Sequence, residues 1–101
     1  MLPPKLISFL RQVIDKTNEG VIDWTYDENQ SVVSVQGAPY SLDVRYQFNE
    51  IKGVGEFSIF YSSGSGDPNH PFYVDQYAEN DYYLMQVLFN AAQGSSASFP
   101  F

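Results

Sequence analysis

The chain has 101 residues, with twelve acids against five bases, a formal net charge of −7 and no cysteine. That length suits one domain burying roughly 65% of its unfolded surface, and the missing cysteines exclude disulfides, thiolate metal sites and cysteine nucleophiles. With only Lys5, Arg11 and Lys16 gathered on one segment, the basic patch that phosphate backbones require is lacking, so no direct nucleic-acid binding is expected.

Pro3 and Pro4 suit a helix start, where no N–H donor is needed. Leu6, Ile7, Leu10, Val13, Ile14 and Thr17 then recur at helical spacing, and Asn18-Glu19-Gly20 supplies the stop. Four strands are expected next. Val21 to Tyr26 alternates, with Ile22, Trp24 and Tyr26 on one side. A turn at residues 27–30 leads into Ser31 to Gln36, with Val33 and Val35 inward. Residues 40–48 alternate without exception, placing Tyr40, Leu42, Val44, Tyr46 and Phe48 on one face and Ser41, Asp43, Arg45 and Gln47 on the other. Glu56 to Ser62 closes the set, with Phe57, Ile59 and Tyr61 inward. Short connections favour an antiparallel meander.

Residues 62–71, rich in Ser, Gly, Asp and Pro, read as a surface loop, with a short extended segment over 72–77. A second helix is expected to be capped by Asn80 or Asp81 and to run to about Gln93, before Gly94. Its apolar residues cover most of its circumference, which demands burial on most sides or a partner chain. The fold class is therefore α+β: one antiparallel meander of about four strands, with an N-terminal and a C-terminal helix packed on one face. The expected domain spans 1–94, followed by a flexible tail over 95–101.

Lys16-Thr17, Gly20 and Trp24, with the closing stretch from Tyr83-Leu84 to Ala91-Ala92, resemble a group of small uncharacterised bacterial and phage proteins of helix–four-strand–helix pattern. The resemblance implies a fold and carries no activity to transfer.

Catalytic signals are sparse. His70, the single histidine, lies in the loop, so a His-based triad or a two-histidine metal site cannot be built within one chain. Asp67, Asn69 and Asp75 do not follow the calcium-loop spacing. Gly64-Ser65-Gly66 is followed by neither a lysine nor a helix, as a phosphate loop would be. Asp23 and Asp43, read as neighbours on adjacent strands of the wet face, would do acid–base work only if buried together. No enzyme, cofactor or metal is expected.

Binding is the stronger class. The candidate surfaces are the wet sheet face, with Asp23, Asp43, Arg45 and the aromatic intruder Phe60; the helix 81–93, through Tyr82, Met85 and Phe89; and the tail, through Phe99 and Phe101. The reading is a small acidic, non-enzymatic protein-interaction module of the cytoplasm, an accessory protein of a phage or mobile element that inhibits or adapts a host protein. Its expected partner is a protein, a basic one being favoured by charge, with homodimerisation through helix 81–93 as a further expectation. Nucleic-acid mimicry and a small-ligand or hydrolytic pocket beside the loop are the alternatives. No stretch reaches the about 20 apolar residues of a membrane helix, and the opening residues lack a secretory apolar run, so no membrane partner is expected.

Overall fold

The computed structural model describes residues 2–36, 40–62 and 70–96. Helix α1 (Pro4–Asn18) begins, as its prolines dictate, with Pro4 inside the first turn. Leu6, Leu10, Val13, Ile14 and Thr17 form its buried side. Its end is a Schellman motif: Gly20 takes φ +79°, its N–H donates to Thr17 O at 3.1 Å, and the Val21 N–H donates to Lys16 O at 2.9 Å.

The strands are β1 (Asp23–Asp27), β2 (Val32–Gln36), β3 (Ser41–Asn49), β4 (Val54–Ser62) and β5 (His70–Asp75), paired antiparallel in sequence order. The sheet thus has five strands where the sequence pattern suggested about four. Residues 70–75 pair with β4 along their whole length, from Tyr61 opposite His70 to Glu56 opposite Asp75. Pro71 within the strand is tolerated because β5 is an edge, where a missing donor breaks no ladder. The β1–β2 turn is held by Asp27 Oδ1, which accepts the Asn29 and Gln30 N–H groups at 3.0 and 3.3 Å.

Helix α2 (Glu79–Ser96) starts before Asn80 and Asp81, so neither is its cap. Asp81 instead accepts the Leu2 N–H at 2.8 Å, tying the buried Leu2 to the first turn of α2. The helix also continues through Gly94, so a tail boundary at 94/95 falls inside α2. Glycine within a helix costs only about 1 kcal/mol, and Ser95 Oγ donates back to Ala92 O at 2.9 Å in the last turn. Residues 97–101, with Phe99 and Phe101, lie outside the described residues, as do 37–39 and 63–69.

One core joins α1 (Leu10, Val13), α2 (Met85, Leu88, Ala92) and alternate residues of all five strands, among them Trp24, Val33, Val44, Ile59 and Val74. Its wall is aromatic. Phe57 lies 5.1 Å from Tyr46, 5.2 Å from Tyr82 and 5.7 Å from Phe89 between ring centres, and Phe9 of α1 sits 5.4 Å from Tyr40 and 5.3 Å from Tyr61. Phe48, read with the inward side of β3, is 60% exposed. It lies opposite Gly55 at the far end of the sheet, beyond the core.

The Thr-x-x-Gly-x-x-x-Trp spacing has a structural reason. Thr17 Oγ1 donates to Val13 O at 2.7 Å and accepts the Trp24 indole N–H at 2.9 Å, both buried. Gly20 turns the chain between them. The motif is a helix-to-strand clasp.

Candidate interaction surface

The wet side of the sheet follows from pairing register. One row runs Asp27, Val32, Arg45, Ser58, Tyr73; the next runs Thr25, Ser34, Asp43, Phe60, Pro71. Positions opposite or diagonal on the same face are neighbours, so Phe60, Pro71 and Tyr73 occupy adjacent positions of one face across β4 and β5. Tyr73 is 57% exposed and Phe60 is half-buried. Ser58 lies between the longer Arg45 and Tyr73 in register and is only 3% exposed. Asp43, directly opposite Phe60, is half-buried, and Arg45 is exposed.

At one end of this face the charges are already used. Lys52 Nζ lies 3.2 Å from Asp75 Oδ2 and 3.9 Å from Glu56 Oε2, and Gln47 Nε2 donates to Glu56 Oε1 at 3.3 Å. The Lys52 hydrogen bond is the main reason the Asp75 carboxyl titrates below its ordinary range, with backbone N–H donation from Tyr77 and Ala78 adding to it. Gln76 Oε1 accepts the Gly55 N–H at 3.0 Å, joining β5's end to the start of β4.

Asp23 and Asp43 are not on adjacent strands. Asp23 pairs with Gln36 and Asp43 with Ser34, so β2 separates them. The two carboxylates are therefore not brought together for acid–base work. Among the described residues no cluster of three or more His, Asp or Glu side chains is placed to hold a metal. The His70 side chain, Asp67 and Asn69 lie outside the described residues.

On α2, Met85 and Phe89 are buried in the chain's own core, and Tyr82 packs on Phe57. Met85 and Phe89 are thus unavailable to a partner in this conformation, because both belong to the chain's own core. Tyr83, Gln86 and Asn90 form its exposed side. Under Tyr82 lies Gly55, where an added Cβ would stand 2.8 Å from the Tyr82 hydroxyl and closer still to that of Tyr46. Burial, together with the hydrogen bond to Tyr46, raises the Tyr82 hydroxyl pKa.

Asp43, Arg45 and Phe60, named from the sequence, do converge on the middle of one face, and Asp23 stands on the edge strand of that face. Tyr73 was missed. Its signal was present, since Phe72 and Val74 alternate with Pro71, Tyr73 and Asp75, but the preceding Gly/Ser/Pro stretch obscured the strand. No protein-family model matches the chain, and neither do the curated proteins or the solved structures. No helix among the described residues is long and apolar enough to cross a membrane.

Proposed function

We propose that this chain is a small acidic protein-interaction module without catalytic activity, which binds a partner protein through the outer sheet face while both helices cover the other. The observation that carries the reading is the placing of Phe60, Pro71 and Tyr73 at adjacent positions of one face, beside Asp43 and Arg45. Aromatic side chains surrounded by polar groups are the usual energetic centres of protein interfaces. The net charge of −7 favours a partner with a basic surface. The form we propose for this binding is inhibition or adaptation of a host protein by an accessory protein of a phage or mobile element. Mimicry of nucleic acid gains little from this face, because Lys52 pairs with both Glu56 and Asp75 and Arg45 stands two positions from Asp43 on the same side of β3.

The test is paired capture from bacterial lysate with immobilised wild type and a Phe60→Ser/Tyr73→Ser variant, folding being checked by thermal melting. A stoichiometric protein retained by wild type and lost with the folded variant is expected. The same proteins held equally by both would overturn the assignment of this face.

A further inference from the structure

The β3–β4 turn presents an isoleucine where turn chemistry gives no reason for one. Ile51 is 99% exposed at its tip, and Phe48 is exposed on the same hairpin end. The turn is locked: Asn49 Oδ1 accepts the Ile51 and Lys52 N–H groups at 3.1 Å, and the Gly53 N–H, at φ +71°, donates to Asn49 O at 2.7 Å. Lys52 anchors the turn to β5 through Asp75. A β-branched residue is a poor turn former, and the β1–β2 turn, Asp27-Glu28-Asn29-Gln30, is polar throughout.

At the other end of the sheet lies a largely apolar groove of about 360 Å³ between α1 and the last two strands, lined by Pro3, Lys5, Leu6, Phe9, Tyr61 and Phe72. Ile51 precedes the start of β4 and Tyr61 lies near its end, seven residues beyond Val54. At about 3.3 Å per residue the two sites stand more than roughly 20 Å apart. They cannot meet within one chain. Their chemistry is complementary, with a projecting apolar tip beside the exposed Glu50 and an apolar recess beside the exposed Lys5. Both ion pairs among the described residues involve Lys52, so neither Glu50 nor Lys5 is committed to one.

We propose that the Ile51 tip of one copy seats in the α1/β4/β5 groove of a second copy, head to tail, with Glu50 facing Lys5. Such a contact is heterologous, so every copy keeps one free tip and one free groove, and association is open-ended and dependent on concentration. It uses neither α2 nor the outer-face residues, and its failure would leave the proposed function standing.

Sedimentation equilibrium over rising concentration tests it. Wild type should show a weight-average mass climbing above 11.5 kDa, and Ile51→Asp, a surface change that leaves the melting temperature unaltered, should weaken association roughly ten- to hundredfold, the worth of one buried isoleucine. Glu50→Lys and Lys5→Glu should each weaken it alone, since like charges then meet. An equimolar mixture of the two should recover mass, because the E50K tip fits the K5E groove. Wild type monomeric at all concentrations, I51D associating like wild type, or no recovery in the mixture would each overturn the proposal.

Discussion

Replacing Thr17 by valine removes one oxygen and almost no volume, and it disables the clasp between α1 and β1. The Trp24 indole N–H, now bonded at 2.9 Å to Thr17 Oγ1, would be left in a site where the tryptophan is nearly inaccessible. Among the described residues no buried side-chain polar atom of the native protein lacks a partner, so the stranded indole N–H would be an exception in this core. An unsatisfied buried donor costs about 1–3 kcal/mol. For a domain of this size that lowers the melting temperature by about 5–20 °C. Denaturant unfolding followed by circular dichroism measures the loss, and the Trp24→Phe background isolates its cause. Phenylalanine has no N–H to strand, so Thr17→Val should cost little there, and the double-mutant cycle should return a coupling of about 1–3 kcal/mol. A Thr17→Val loss below about 0.5 kcal/mol, or an equal loss in both backgrounds, would refute the clasp, since the hydrogen bond would then contribute nothing net.

Gly55→Ala should destabilise by about 1–3 kcal/mol through overpacking against the Tyr46 and Tyr82 hydroxyls. Tyr46→Phe in the same protein should recover part of that, as read by chemical denaturation. The Asp75 carboxyl is held below its ordinary range by Lys52, so its contribution is complete above the unfolded-state pKa of about 3.9 and is lost as pH falls through the lower folded-state value. Lys52→Met should therefore melt below wild type at neutral pH and converge with it in strong acid, and added salt should narrow the neutral-pH gap. Gly20→Ala places a side chain at φ +79° and should cost about 1 kcal/mol, measurable by thermal melting.

The elements whose period was clean were legible in advance. The nine-residue alternation of β3 fixed its two faces, and the register then carried Asp43 and Arg45 to the outer side. Thr17, Gly20 and Trp24 were visible as a spacing, although the hydrogen bond that explains them needs the third dimension. Three features were only partly legible. β5 was expected as a short extended segment over 72–77, but Pro71 and the preceding turn-formers hid its start at His70 and its full pairing with β4. The apolar circumference of α2 could not be apportioned from the sequence: Met85, Leu88, Phe89 and Ala92 go to the core, Leu84 and Val87 are half-buried, and Tyr83 stays exposed. Phe48 kept the correct parity and still ended in solvent, because parity assigns a face and not how far the core extends along it.

The measurement closest to the central claim is hydroxyl-radical footprinting of the captured complex against the free chain. The outer-face account predicts protection of Phe60 and Tyr73, with Tyr83 on the exposed side of α2 oxidised equally in both states. Protection of Tyr83 with Phe60 and Tyr73 unchanged would contradict it and move the binding surface to the helical side.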